Sequence, residues 1–377
     1  MDPVIQLLRD LVAIDSVNPS LVPGGTGEAV IAERIATALR VAGLDVQVTE
    51  VATGRPNVVG VLEGRAPGRT LMLCGHMDTV GVEGMTAPFD PVERYGRLYG
   101  RGAQDMKSGL AAMIDAAARL AADGGLETGR LVVAAVVDEE FASLGADALV
   151  TEHTADGAIV TEPTDLEVAT GHKGFEWVEV ETHGRPAHGS RPDEGRDAIL
   201  HMGRVLARLE AINGGLMTGP GHPLLGTASL HASTICGGRE LSVYPDRCRL
   251  RFERRTLMGE SSDVGLMELQ TVLAELGRED AEFEASVRQL LSRPPYEIPD
   301  DHPVCRALVR VLQRSGREAA PIGMSFWTDA AILAQAGTPA VLFGPRGAGL
   351  HGREEFVEID SVLTCRDVLA DLARDFC

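Results

Sequence analysis

Histidines and carboxylates occur in five short segments of this chain, at positions where a fold could bring them together. Four of the segments follow an apolar run with the composition of a buried strand, and the fifth precedes a helical pattern. Open α/β sheets bind ligands beyond the carboxyl ends of such strands. The candidates are His76 and Asp78 in LMLCGHMDTVG (71–81), Asp105 in GRGAQDMKSG (100–109), Glu139 and Glu140 in VVDEE (136–140), Glu162 in IVTEPTD (159–165), and His351 in LFGPRGAGLHGREE (342–355).

Taken together, these side chains form a ligand set for divalent metal ions. Two histidines and three of the carboxylates would offer nitrogen and oxygen donors that suit zinc, cobalt or manganese rather than calcium. Neighbouring residues of an extended chain point to opposite sides, so one of Glu139 and Glu140 can bind metal while the other faces a substrate water. Singly, each residue also has an ordinary structural interpretation, such as a helix N-cap for Asp105. The combination is what predicts a metal site.

Alternating strands and helices are expected to position these residues. Strand-like runs cover 45–52, 57–63, 70–75, 131–137 and 340–344, and helical apolar stripes cover 26–43, 106–120 and 362–376. The run LVVAAVV (131–137) is continuous, as in a strand covered on both faces. This pattern predicts an α/β domain with a mostly parallel sheet, formed by residues 1–175 and 291–377.

The middle of the chain has a different pattern. FEWVEVETHG (175–184) alternates apolar and polar residues, and further strand-like segments lie near 228–236, 247–253 and 281–291. Helical patterns cover 195–213 and about 262–277. One-sided strands with two helices predict a small antiparallel α+β domain, inserted at 176–290.

Composition excludes several functional classes. The chain has 377 residues with 35 basic and 55 acidic side chains, a formal charge of −20. So acidic a protein is a poor partner for nucleic acid. No apolar run approaches a membrane span, and the N-terminus does not resemble a signal peptide, so no membrane partner is expected. Six scattered cysteines predict free thiols and a cytoplasmic location.

The motifs GHMDTVG, GRGAQDMKSG, VDEE, TEP and GLHGREEFV, in this order along nearly the whole chain, resemble the metallopeptidase M20 family. That family includes acetylornithine deacetylase, succinyl-diaminopimelate desuccinylase and carboxypeptidase G2. The resemblance implies a zinc-peptidase-like catalytic domain with two divalent ions, taken as Zn²⁺ with Co²⁺ or Mn²⁺ as alternatives. It implies that His76 and Glu162 hold one ion, that Glu140 and His351 hold the other, and that Asp105 bridges them. Asp78 would orient His76, and Glu139 would be the general base.

The resemblance also extends to the inserted domain, which it implies is a lid that forms a homodimer. GRPAHGSRPDEGRDAI contains His188, which would reach into the partner subunit's site and stabilise the oxyanion. CRLRFERRTLMGE contains the arginine that would grip a substrate carboxylate, and spacing favours Arg255 over Arg254. Ser242 and Glu253 depart from the family pattern, which often has Asn and Asp there. His172 and Lys173 are hinge or site-edge candidates, and Glu355 is either an orienting group for His351 or a surface carboxylate.

These features predict a dinuclear amidohydrolase that cleaves the amide bond of an N-acyl amino acid by a metal-activated water, with Glu139 as the base. The alternative is a dipeptidase or carboxypeptidase of the same family, acting on a short peptide. A third hypothesis is a non-catalytic binding protein that retains the fold. It would require the loss of at least one ligand, and every ligand candidate is present in the sequence.

Overall fold

A computed structural model describes residues 2–377, and the chain divides into two units. The first unit comprises the chain up to Gly171, Ile298–Gly323 and Thr328–Cys377, and the second comprises His172–Glu297 and Met324–Trp327. The helices are α1 (Pro3–Val12), α2 (Ala29–Val41), α3 (Lys107–Ala122), α4 (Leu144–Glu152), α5 (Ala198–Thr218), α6 (Val264–Glu279), α7 (Pro303–Arg314), α8 (Ala330–Gln335) and α9 (Ile359–Phe376). The strands are β1 (Asp45–Ala52), β2 (Arg55–Glu63), β3 (Ala66–His76), β4 (Val92–Arg94), β5 (Arg97–Tyr99), β6 (Thr128–Val136), β7 (Gly157–Val160), β8 (Val168–His172), β9 (Gly174–His183), β10 (Ser229–Gly237), β11 (Arg247–Thr256), β12 (Glu284–Arg293), β13 (Tyr296–Glu297), β14 (Pro321–Met324), β15 (Ala340–Leu342), β16 (Gly347–Ala348) and β17 (Phe356–Glu358).

The large sheet of the first unit runs in the order β1, β2, β6, β3, β7, β15, β8. Its central strands β6, β3, β7 and β15 are parallel, and antiparallel strands flank them on both sides. The apolar run of β6 is buried from Leu131 to Val137, as expected of a strand covered on both faces. Helix α3 packs on β3, β6 and α9. The predicted α/β class with a mostly parallel central sheet is confirmed.

A small antiparallel sheet in the first unit runs in the order β16, β17, β5, β4. Its strands are short, and the rings of Tyr99 and Phe356 pack against each other with centroids 5.3 Å apart. The hairpin between β16 and β17 contains His351. Strand β16 lies between His351 and the large-sheet strand β15 in the chain, so the small sheet rather than the end of β15 carries this candidate ligand.

The second unit is an antiparallel sheet in the order β10, β11, β9, β12, with α5 and α6 packed on it. Val178, Val180, Leu250 and Phe252 are buried in its core, while alternate residues such as Arg251 are exposed. The main segment of the unit runs from His172 to Glu297, and within it β9 and β12 pair along almost their whole length. The segment 324–327 joins it because Lys173 N–H donates to Met324 C=O at 3.2 Å and Trp327 packs on Phe175.

Among residues 2–377, none of the helices combines the length and the apolar character needed to cross a bilayer. All six cysteines are free thiols, and Cys74, Cys248, Cys305 and Cys365 are buried.

Candidate metal centre

Three neighbouring strands of the large sheet deliver most of the candidate ligands to one edge. Strands β6, β3 and β7 lie side by side and run parallel, so their carboxyl ends coincide. His76 is the last residue of β3, Glu139 and Glu140 come shortly after the end of β6, and Glu162 follows β7. His76 and Glu162 are buried, and Glu139 and Glu140 are partly buried. The strand ends therefore collect these four side chains as the sequence predicts.

Asp105 and His351 reach the same place from other elements. Asp105 lies in the turn that leads into α3, and its carboxylate faces both histidines: Oδ1 is 3.1 Å from His76 Nε2, and Oδ2 is 3.3 Å from His351 Nε2. His351 has a left-handed backbone (φ 56°) in the hairpin between β16 and β17, and its side chain is 55% exposed. Glu140 Oε2 lies 3.2 Å from His351 Nε2, and Glu162 Oε1 lies 3.7 Å from His76 Nε2.

The donor atoms fit divalent ions. Ligand atoms of His76, Glu139 and Glu162 lie within 4.8 Å of one another, and so do those of His76, Asp105 and Glu140. Within residues 2–377, Glu140 Oε1 is buried and has no hydrogen-bond partner. A buried carboxylate oxygen without a partner is costly unless a cation compensates it. The cluster therefore supplies the nitrogen and oxygen donors, and an uncompensated negative atom, that a metal site requires.

The electrostatics of the cluster follow from burying several carboxylates together. Burial raises the pKa of Glu162 and of Glu139 well above the usual range, and neighbouring carboxylates add to the rise while His76 opposes it. Hydrogen bonds to Asp105 and Glu140 raise the pKa of His351 to about 10. Burial alone would raise the pKa of Asp105, but hydrogen bonds from His351 and His76 hold it well below its ordinary value. The histidines and the buried carboxylates of the cluster therefore shift each other's pKa.

Asp78 lies behind the ligands and contacts three of the residues proposed to act at the site. Its Oδ1 is 3.6 Å from His76 Nδ1, and its backbone carbonyl is 3.0 Å from the same nitrogen. Its carboxylate also accepts the backbone N–H groups of Glu139 and Glu140 at 3.2 and 3.1 Å. Asp78 is fully buried. Metal-binding histidines usually donate their second nitrogen to such a group, which fixes the ring.

Glu355 is a buried carboxylate, not a surface one, and it holds the turn that carries Asp105. Its two oxygens accept the backbone N–H groups of Gly102, Gln104 and Asp105 at 2.9–3.1 Å. Arg101 donates to Glu355 Oε2 at 2.7 Å and to Gly352 C=O at 3.0 Å. The interpretation as a surface carboxylate is therefore wrong. The contacts of Glu355 hold the Asp105 turn, and it is Arg101 that contacts Gly352, the neighbour of His351.

Four groups that support the site were not predicted from the sequence: Asn18, Arg55, Arg101 and Asp138. Arg101 and Asp138 stand within quoted motifs, and that position was the only available signal for them. Asp138 has a left-handed backbone (φ 70°), which turns the chain between β6 and Glu139. Nothing in the local sequence distinguishes Asn18 or Arg55.

The second unit contains the remaining candidates. His188 is exposed, and its Nδ1 lies 2.8 Å from Ser190 Oγ. The exposed Ser242 accepts the N–H of Gly189 through its backbone carbonyl at 2.7 Å. Lys173 donates to Thr227 C=O at 2.6 Å.

The two adjacent arginines of β11 differ sharply in their surroundings. Arg254 is buried and donates to Glu260 at 2.7 Å and to Glu268 at 3.2 Å. Arg255 is partly exposed, donates to Glu253 at 2.6 Å, and lies over the ring of Phe175. Arg254 is therefore occupied within the unit, whereas Arg255 retains an accessible face.

Comparison with known proteins places this arrangement in context. The sequence model of peptidase family M20/M25/M40 matches residues 72–375. The chain is 33% identical over 331 residues to an acetylornithine deacetylase of Myxococcus xanthus, covering 85% of this chain and 84% of that protein. It is 29% identical to an acetylornithine deacetylase of Vibrio atlanticus (strain LGP32), covering 99% and 98%. A tripeptidase structure from Staphylococcus aureus superposes with a TM-score of 0.84 at 23% identity, covering 99% of this chain and 97% of that chain.

Proposed function

This chain belongs to peptidase family M20/M25/M40, and from that premise we propose that it hydrolyses the amide bond of an N-acyl amino acid. Membership of the family makes the protein a metal-dependent hydrolase of amide bonds. The similarity to acetylornithine deacetylases supports an acylated amino acid as the substrate class.

The observation that carries the proposal is the position of Asp105 between His76 and His351, with one carboxylate oxygen facing each ring. We assign Asp105 as the bridging ligand of two divalent ions. His76 and Glu162 would hold one ion, and Glu140 and His351 the other. The ligand set suits Zn²⁺, and it also accepts Co²⁺ or Mn²⁺.

Bound ions would supply electrophilic catalysis, polarising the scissile carbonyl and lowering the pKa of a water. Glu139 acts as the general base. Its Oε2 is 3.9 Å from His76 Nε2, so it faces the ligand cluster, and burial raises its pKa well above that of a free glutamate. A base with a raised pKa takes a proton from the attacking water and then delivers it to the nitrogen of the leaving amine. Asp78 contributes by fixing His76 and the backbone of Glu139 and Glu140.

Substrate binding is assigned to the second unit. Arg255 retains an accessible guanidinium, and an arginine is suited to grip a carboxylate with two hydrogen bonds. His188 is assigned to stabilise the oxyanion in the site of a partner subunit. Ser242 lies next to the His188 segment and lacks the amide donor that relatives often have there, so it bears on how the substrate is held.

A homodimer formed through the second unit is part of the proposal. Strand β10 is an edge of its sheet, and an edge strand offers unpaired backbone groups to another chain. The unit also exposes Ile199, Leu200, Ile235 and Leu241. Six free thiols support the cytoplasm as the location.

A substrate panel tests the proposed function. The protein, loaded with Zn²⁺ or Co²⁺, is incubated with N-acetyl and N-succinyl amino acids, dipeptides and tripeptides, and the released amine is measured. We expect turnover of the N-acyl amino acids to exceed that of the peptides. Preferential cleavage of peptides would replace the deacylase with the peptidase alternative, and no cleavage of any substrate would contradict both.

A further inference from the structure

Asn18 is a buried asparagine whose amide orientation is fixed by its surroundings. Its side-chain carbonyl accepts the N–H groups of Ser20 at 2.8 Å and Leu21 at 3.3 Å, and its own backbone N–H donates to Thr79 C=O at 2.9 Å. Because the carbonyl oxygen is committed to two backbone donors, the NH₂ group must face the opposite way. The residue is fully buried.

The NH₂ group of Asn18 lies between two buried carboxylates. It donates to Asp78 Oδ2 at 2.7 Å and to Asp138 Oδ1 at 3.0 Å, which uses both of its hydrogens. Asp78 and Asp138 are both fully buried. Buried carboxylates are tolerated when hydrogen bonds satisfy them, so Asn18 separates and satisfies two groups that would otherwise repel each other.

These two carboxylates determine the backbone of the Glu139–Glu140 segment. Asp78 accepts the N–H groups of both glutamates. Asp138 carries the left-handed turn before them, and its backbone carbonyl accepts the N–H of Ala142 at 3.0 Å. Asn18 therefore reaches this segment through two carboxylates: Asp78, which accepts its N–H groups and faces His76, and Asp138, which directly precedes it.

Arg55 shares this role at Asp138, but its other hydrogen bonds go to Glu28 and Ser20 rather than to Asp78. It donates to Asp138 Oδ1 at 2.8 Å, and its Nε donates to Glu28 Oε2 at 2.8 Å. Its guanidinium is thus shared between Asp138, Glu28 and Ser20. Among the described side chains that contact the Asp78 carboxylate, Asn18 donates the shortest hydrogen bond.

We propose that Asn18 is a positioning residue of the metal centre, which holds Asp78 and Asp138 so that His76, Glu139 and Glu140 keep their places. The inference rests on the proposed metal site. It predicts that Asn18→Ala folds but binds metal about 10- to 100-fold more weakly. This is the typical effect of removing a hydrogen-bonding group from the shell around the metal ligands.

The test is a Co²⁺ titration of the metal-free full-length protein, followed by visible absorption and by competition with a chelator. The d–d bands of bound Co²⁺ report ligand geometry directly, and a residue with only a structural role would not change them. Asn57→Ala is the matched control, because Asn57 is also a buried asparagine but bonds only backbone groups, Val137 N–H at 3.1 Å and Gly145 C=O at 2.8 Å. If Asn18→Ala does not fold, Asn18→Ser is used, since its hydroxyl can still donate to one carboxylate.

We expect altered Co²⁺ bands and weaker binding in the Asn18 variant and wild-type values in the Asn57 variant. Wild-type bands and affinity in the Asn18 variant would overturn the inference while leaving the proposed function intact. Equal losses of affinity in both variants would also overturn it, because they would show a general effect on stability. Failure of the wild-type protein to bind Co²⁺ would overturn the inference and the proposed metal site together.

Discussion

The carboxylate of Asp105 and the imidazole of His351 meet at 3.3 Å, although one residue precedes helix α3 and the other lies in a hairpin near the C-terminal end of the chain. The other oxygen of Asp105 is 3.1 Å from His76. One carboxylate thus joins a ligand held by the large sheet to a ligand held by the small antiparallel sheet. This position between the two rings is the basis for proposing Asp105 as a ligand shared by two ions.

His351→Ala is expected to reduce the bound metal from two ions per chain to one. His351 belongs with Glu140 to one proposed ion, while His76 and Glu162 belong to the other. Metal analysis after dialysis measures the stoichiometry, and His231→Ala, which changes an exposed histidine of the second unit, is the control. Retention of both ions in the His351 variant would remove His351 from the ligand set.

Glu139→Gln is expected to lower kcat by about 100- to 10,000-fold, the usual contribution of a general base, while both ions stay bound. Glu140→Gln is the matched comparison, because Glu140 is assigned as a ligand and its variant should lose metal. Hydrolysis rates and metal content are measured on the same samples. A Glu139 variant with the wild-type rate would show that the base is another group.

Glu355→Gln is expected to destabilise the protein by about 1–3 kcal/mol, since a buried carboxylate that accepts three backbone N–H groups and an arginine is replaced by a group with one acceptor oxygen. Urea denaturation measures the change. The control is Glu354→Gln at the exposed neighbouring residue, which should leave the free energy of unfolding unchanged. Equal stability of the two variants would mean that the Glu355 contacts do not hold the Asp105 turn.

Substitutions of the two adjacent arginines of β11 should have different effects, one on substrate binding and the other on stability. Arg255→Ala is expected to raise KM at least about tenfold for substrates with a free carboxylate, because a charged hydrogen-bonding partner is lost, and to leave KM unchanged for the corresponding carboxamides. Arg254→Ala is expected instead to lower the stability by about 2 kcal/mol, because its charged hydrogen bonds to Glu260 and Glu268 are lost. The reverse pattern would exchange the two assignments.

His172 makes the stability depend on pH. Burial lowers its pKa to about 4, because the buried ring resists charging, and Arg255 adds to this while a hydrogen bond to Lys173 C=O opposes it. An unfolded histidine has a pKa of about 6.5. The unfolded state therefore binds more protons between about pH 6.5 and pH 4, so stability is complete above this window and falls with decreasing pH inside it.

His172→Gln should flatten that dependence by up to about 1.4 kcal/mol per pH unit, as measured by urea denaturation at several pH values. The exposed His231→Gln should leave the profile as it is in the wild type. Parallel profiles for His172→Gln and the wild type would show that His172 titrates normally in the folded protein.

The elements and ligands whose pattern is local could be predicted from the sequence. Continuous apolar runs located β3, β6 and β7, and residues at the ends of parallel strands must share an edge, so the sequence alone was enough to group His76, Glu139 and Glu162. Asn18 could not be found in this way. Its role depends on Asp78 and Asp138, which are 60 and 120 residues away along the chain.

The burial of Glu355 and the place of segment 324–327 also depend on contacts between residues far apart in the sequence. Whether Glu355 is buried depends on how the β16–β17 hairpin packs on the Asp105 turn, which no local periodicity encodes. The segment 324–327 joins the second unit through contacts of Lys173 and Trp327 with residues far away along the chain.

The most direct test of the account is the metal content of the purified protein after incubation with Zn²⁺ and removal of the excess, measured by mass spectrometry beside Asp105→Ala. We predict two ions per chain in the wild type and loss of both in the variant, because Asp105 is shared. A wild-type protein that retains no metal, or a variant that retains two ions, would contradict it.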